Sequence, residues 1–249
     1  MRNCKVIKNI SVASNMQGLA VTPNGKYVYI SNSNNDSVQI ISTSTNSVVA
    51  AISVPCSPQN IAITPNGRYA YVINCIGSDG SNVSIIDTAS NTIIKSTGNL
   101  SALVGEPFYP TGITMTPNGK YAYISTESQY IPILNASSGA FLGYINTSIG
   151  NFGTCDANSM VITPDSRYGY VTCGPETVAK INLSTGTFIK NITVGDPQGP
   201  MAISQNGKYI YVTSYSPNLI SVIATSTDSV VSTINLGAAP EYIAAGFRP

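Results

Sequence analysis

Short runs in which apolar and polar residues alternate recur along this chain, and they come in sets of four. Ile61-Ala62-Ile63-Thr64 is followed by Tyr69-Ala70-Tyr71-Val72-Ile73, then Val83-Ser84-Ile85-Ile86, then Thr92-Ile93-Ile94-Lys95. Period-two alternation rich in β-branched and aromatic residues marks strands that bury one face. The set therefore predicts four strands, a to d, of one unit. No window of ten or more residues carries apolar positions at helical spacing. The chain reads as all-β.

The segments between the runs are turns with a mechanism. Thr22-Pro23-Asn24-Gly25-Lys26-Tyr27 recurs as Thr64-Pro65-Asn66-Gly67-Arg68-Tyr69 and Thr116-Pro117-Asn118-Gly119-Lys120-Tyr121. It recurs in altered form as Thr163-Pro164-Asp165-Ser166-Arg167-Tyr168 and Ser204-Gln205-Asn206-Gly207-Lys208-Tyr209. Proline supplies φ near −65° and glycine a positive φ, which closes a tight a–b hairpin. A second turn joins c to d and ends on Asn46, Asn91, Gly139, Gly186 or Asp228, the residue types that best tolerate a left-handed backbone. At the Gly25 position the intervals are 42, 52, 47 and 41 residues. That period suits a helical solenoid pair or a four-stranded propeller blade, and the strand chemistry selects the blade.

Strand b continues as Tyr29-Ile30-Ser31-Asn32, Tyr71-Val72-Ile73-Asn74, Tyr123-Ile124-Ser125-Thr126, Tyr170-Val171-Thr172-Cys173 and Tyr211-Val212-Thr213-Ser214. With the preceding Pro-Asn-Gly-Lys-Tyr, this resembles the YVTN family of β-propeller repeats, found in archaeal surface-layer proteins and some bacterial secreted proteins. The resemblance covers essentially the whole chain. It implies a single β-propeller domain over 1–249, of four-stranded antiparallel blades, and an extracellular or cell-surface location. Five complete blades are expected at about 19–54, 61–97, 113–147, 160–194 and 201–236. Runs at 6–12 and 242–247 are left over as terminal strands. They belong to a closure overlap, to self-association with a neighbouring chain, to a sixth, incomplete blade, or to a larger ring of which this is a fragment.

Polarity comes from Ser, Thr and Asn: charged residues make up 9% of the chain, and twelve Lys+Arg against eleven Asp+Glu leave a net charge of +1. No clustered basic excess offers a nucleic-acid footprint, and no apolar run approaches the ~20 residues of a bilayer-spanning helix. No signal peptide is expected in the first residues. The loops expected on one face of the blades vary in length, and Asp36, Asp79, Glu106, Glu127, Asp156, Glu176, Asp196 and Glu241 fall on or beside them. These are candidate binding-face acids, with Ca²⁺ as the cation they would take. Lys26, Arg68, Lys120, Arg167 and Lys208 fall on the opposite, tight-turn face.

Of the five cysteines, Cys56 and Cys155 precede strand a of blades two and four, and Cys75 and Cys173 end strand b of the same blades. Antiparallel neighbours bring those ends together, which predicts disulfides Cys56–Cys75 and Cys155–Cys173, with Cys4 unpaired. Thiolate metal binding is the lesser alternative, since CxxC spacing and histidine are both missing. Disulfides imply an oxidising compartment or a hyperthermophile cytosol. The lack of histidine also removes the usual nucleophile–base pairs. Eight Asn-x-Ser/Thr sequons permit glycosylation. The resulting expectation is a non-enzymatic, cofactor-free surface-layer-like or secreted scaffold for a protein or cell-surface partner. The alternatives are a lactonase- or lyase-type propeller enzyme with a divalent metal at the acidic face, and a glycan-binding module.

Overall fold

The computed structural model describes residues 6–74, 81–107, 109–147, 157–174, 176–195, 199–240 and 242–245. The chain forms two compact units, Met1–Gly98 and Asn99–Pro249. The first contains two four-stranded antiparallel sheets, β1(Met16–Val21) to β4(Ser47–Ser53) and β5(Ile61–Ile63) to β8(Thr92–Ser96). The second contains three, β9(Pro110–Met115) to β12(Phe141–Asn146), β13(Met160–Ile162) to β16(Thr187–Thr193), and β17(Met201–Ile203) to β20(Ser229–Asn235). In each, the strands pair in chain order, so every connection inside a sheet is a hairpin. A short helix α1(Leu100–Val104) precedes β9, capped by the Asn99 side chain at its start and by Gly105 at φ 88°.

The a–b turn shows why its sequence repeats. Thr22 Oγ accepts from the Tyr27 amide at 3.0 Å and donates to Asn24 Oδ1 at 2.8 Å, and Asn24 Oδ1 also accepts from the Lys26 amide at 3.0 Å. Thr64, Thr116, Thr163 and Ser204 repeat this arrangement with Asn66, Asn118, Asp165 and Asn206. One hydroxyl, buried in the four threonine turns and half-buried at Ser204, thus satisfies backbone that the hairpin leaves unpaired. Across each c–d pair the register shifts once, between the same two positions of strand c in all five blades.

In the first four blades the second tyrosine of strand b packs inward. Tyr29, Tyr71, Tyr123 and Tyr170 are all but fully buried, beside Ile40, Ile86, Ile131 and Ile181. In the first unit the core joins strands of blades one and two through Tyr29, Val38, Ile61 and Val72. In the second, Tyr123, Ile131, Met160 and Val171 join blades three and four, and Tyr170, Val178, Met201 and Val212 join blades four and five.

The expected terminal strands do not form in the described residues. Residues 6–14 and 242–245 carry no strand pairing. The Ala13 amide bonds the Gln39 side chain at 2.8 Å, so side-chain chemistry takes the place of a backbone ladder there.

Candidate functional site

In blade four the register places Lys180 of β15 opposite Tyr170 of β14. The matching positions in the other blades hold Ile40, Ile85, Ile133 and Val222. A cation in this apolar slot needs a counter-charge, and the next blade supplies it. Asp228, last residue of the blade-five c–d turn, accepts from Lys180 Nζ at 2.8 and 3.0 Å, with the two side chains only 11% and 17% exposed. The Tyr170 hydroxyl donates to Asp228 Oδ1 at 2.5 Å. Lys180 Nζ also lies 4.5 Å from the ring centre of Tyr168 and 5.4 Å from that of Tyr170, a cation–π arrangement. Burial first, and then the Asp228 carboxylate, push the Tyr170 phenol well above its ordinary pKa. A cleft of about 310 Å³ opens here, lined by Asp165, Tyr168, Tyr170, Lys180, Asn206 and Thr225 among others.

A larger cleft, about 480 Å³, lies between blades three and four, lined by Lys120, Tyr121, Tyr123, Ile133, Leu142 and Leu183 with Asn118, Ser166 and Ser184. Burial raises the Tyr123 phenol to about 12, and the same cause, with smaller contributions from Tyr27 and Asp87, raises Tyr29 to about 12. Both groups ionise near 10 when unfolded, so the unfolded chain loses these protons first as pH rises. Their contribution to stability is complete below pH 10 and is lost between about pH 10 and 12. A denaturant midpoint measured from pH 9 to 12 is expected to fall across that window. Tyrosinate absorbance of the folded protein should show a late-titrating fraction over the same range.

The acids singled out from the sequence do not come together among the described residues. Asp36 accepts from the Ser57 amide at 2.6 Å and shapes the connection into blade two. Glu106, Glu127 and Glu176 are exposed, while Asp79, Asp156, Asp196 and Glu241 lie outside the described residues. Among the described residues no three acidic or cysteine side chains come together in a group that could hold a metal ion. Cys56 and Cys173 are disulfide-bonded; Cys4, Cys75 and Cys155 lie outside the described residues, and the pairings with them. Lys180, Asp228, Tyr123 and Gly186 were not singled out from the sequence. For Lys180 and Asp228 the signal was departure from the repeat, a lysine in an apolar slot and a charged turn residue; Tyr123 and Gly186 follow the repeat, as Tyr29 and Gly139 do.

Comparison with known proteins places these blades. The cytochrome D1 heme domain family matches residues 143–241, which span blades four and five. A seven-bladed beta-propeller protein of Mycobacterium tuberculosis is 22% identical over 134 residues, covering 53% of this chain and 32% of that protein. The aligned part thus spans about a third of that relative's length. Among solved structures, Kuenenia stuttgartiensis hydrazine synthase superposes with a TM-score of 0.77 at 20% identity, covering 96% of this chain and 80% of the other. The dihydro-heme d1 dehydrogenase NirN, in complex with DHE, superposes at 0.72 and 16% identity, covering 92% and 48%. The fold is that of a β-propeller, with five four-stranded blades in this chain. The expectation of a non-enzymatic, cofactor-free surface-layer or secreted scaffold is overturned. The matching family is a heme domain, and the solved neighbours include hydrazine synthase and a heme d1 dehydrogenase. A blade repeat specifies architecture and leaves chemistry to the residues that depart from it.

Proposed function

We propose that this chain is the propeller, whole or in part, of an enzyme that works on or beside a tetrapyrrole. The observation that carries this reading is the heme-domain match over residues 143–241, the stretch that also contains the Lys180–Asp228 pair. The donor set sets its terms. Iron in a tetrapyrrole takes axial His, Cys, Met or Tyr, and this chain has no histidine. Among the described residues, Cys56 and Cys173 are in disulfides, and Met160 and Met201 are packed in the core. The Tyr29 and Tyr170 hydroxyls are bonded to Asn91 and Asp228, and burial opposes their ionisation. These buried residues do not fit iron ligation, while Met16 and Tyr109 are exposed donors among the described residues; histidine ligation would need a residue from outside the 249. What the chain does fit is the ring's edge. Arg167 and Lys208, exposed on the a–b turns of blades four and five, suit its carboxylates, and Tyr168 offers an aromatic face.

Titration of the chain with hemin, followed by visible absorption, tests this. A saturable Soret change without histidine-ligated bands is expected, weakened about tenfold by Arg167→Gln with Lys208→Gln. No saturable change would overturn the reading. We also propose the bridges Cys56–Cys75 and Cys155–Cys173, and with them an oxidising compartment, as the setting of this protein. The YVTN-like motif belongs to the same proposal as a kinship of blade repeat.

A further inference from the structure

We propose that the cleft between blades three and four binds a small carboxylate with an apolar, preferably aromatic, body. The proposal stands apart from the tetrapyrrole reading and rests on how the blades meet. Where blade one meets blade two, the Tyr29 hydroxyl donates to Asn91 Oδ1 at 2.8 Å. Where blade four meets blade five, the Tyr170 hydroxyl donates to Asp228 Oδ1 at 2.5 Å. Both acceptors end a c–d turn, with positive φ of 55° and 49°. Tyr123 occupies the matching place on blade three, and the matching turn residue of blade four is Gly186, at φ 67°. The turns are equivalent, because the amides of Asn91, Gly186 and Asp228 bond Asp87, Asn182 and Ala224 carbonyls at 2.8, 2.8 and 2.9 Å. Glycine has no side-chain oxygen to bring, and the 480 Å³ cleft lies at this junction, with Tyr123 in its lining.

Two more departures mark the same junction. At the a–b turn, a Cβ on Gly67 would lie 3.4 Å from Pro23 Cδ, and one on Gly207 would lie 2.6 Å from Pro164 Cδ. The blade-four residue at this place is Ser166, whose hydroxyl is accommodated and accepts from the Asn118 amide of blade three at 3.0 Å. At the c–d turn, Thr43, Thr88 and Thr225 tie back to the glycine carbonyls of their own a–b turns at 2.6–2.7 Å. Blade four has Leu183 there, and it forms part of the cleft wall.

The occupant follows from what the other junctions contain. The missing group is an sp² oxygen that accepts from a tyrosine hydroxyl, as an amide does at one junction and a carboxylate at the other. Lys120 lines the cleft without a carboxylate beside it in the lining, which selects the anion over the amide. Tyr121, Ile133, Leu142 and Leu183 supply the apolar wall, and the edge-on pair Tyr121–Tyr123, 6.4 Å between ring centres, suits an aromatic body.

The probe is phenylacetate, titrated into the chain by calorimetry or by NMR of the tyrosine signals, with phenylethanol as the neutral control. Single-site binding of phenylacetate is expected, with phenylethanol about tenfold weaker, since a charge-assisted bond is lost. Gly186→Asn rebuilds the Tyr29–Asn91 arrangement and should close the site. At φ 67° the asparagine bears left-handed strain, which the new bond to Tyr123 offsets, and its Cβ meets only an ordinary contact, 3.6 Å from Ile145 Cγ1, so the melting temperature should change by no more than a few degrees while binding falls about tenfold or more. Tyr123→Phe and Lys120→Gln should each weaken binding about tenfold as well. Unchanged binding in folded Gly186→Asn, equal binding of phenylethanol, or no saturation by phenylacetate would each overturn the proposal. Hemin binding in the same samples is read separately and bears only on the tetrapyrrole reading.

Discussion

Replacing Asp228 with alanine is expected to destabilise the second unit by about 4 kcal/mol and to lower its melting temperature by about 10 °C. Three losses add up. Lys180 stays in an apolar slot, with its side chain 11% exposed, but without its carboxylate. An unpaired buried charge is the costly product of breaking such a pair, where replacing both partners is not. The Tyr170 hydroxyl loses its acceptor. Alanine must also adopt φ 49°, which costs an L-residue about 1–2 kcal/mol. Asp228→Asn separates these effects, because it keeps the acceptor and tolerates the backbone; about half the loss should remain. Lys180→Ile combined with Asp228→Asn recreates the Tyr29, Ile40 and Asn91 arrangement of blades one and two, and should recover most of the stability. Thermal and urea unfolding of the parent, Lys180→Ile, Asp228→Asn and the double variant form a double-mutant cycle. If the Asp228 variants stayed within about 0.5 kcal/mol of the parent, the pair would be an ornament of the surface.

Gly207→Ser is expected to cost about 3 kcal/mol, from a left-handed backbone and a rigid contact together. The backbone stands at φ 68°, and the new Cβ would lie 2.6 Å from Pro164 Cδ and 2.9 Å from its Cγ. A proline ring in the neighbouring turn has no rotamer to escape into, so the two turns must separate. The reciprocal change, Ser166→Gly, should alter stability by less than about 1 kcal/mol. It relieves φ 59° and gives up one exposed bond from the Asn118 amide. The measurement is the urea midpoint of each variant. Similar losses for both would mean that the blade-three and blade-four junction is no wider than its neighbour.

The repeat made the blades legible before any coordinates. Strand b alternates, its second tyrosine is buried, and Thr-Pro-Asn-Gly closes a hairpin whose bonds all lie within five residues. Such contacts are local, so a window of sequence contains both partners. The candidate sites were not legible in that way. Tyr170 meets Asp228 across 58 residues, and Tyr29 meets Asn91 across 62. Read locally, Lys180 is an ordinary polar residue of a strand, and Gly186 an ordinary turn glycine. The acids in long loops offered no such local guide either. Loop carboxylates have no period to bind them together, and those that are described serve turns or face solvent.

By itself, then, the sequence determined the all-β class, the four-strand unit, its fivefold return and the turn chemistry, because each follows from alternation and backbone preference over a few residues. Only the tertiary structure decided that the junctions of blades one with two and four with five are filled and that of blades three with four is open. That depends on whether an oxygen from one blade reaches a tyrosine of the blade before it, a distance set by packing between stretches of sequence some sixty residues apart and not by the local pattern of either.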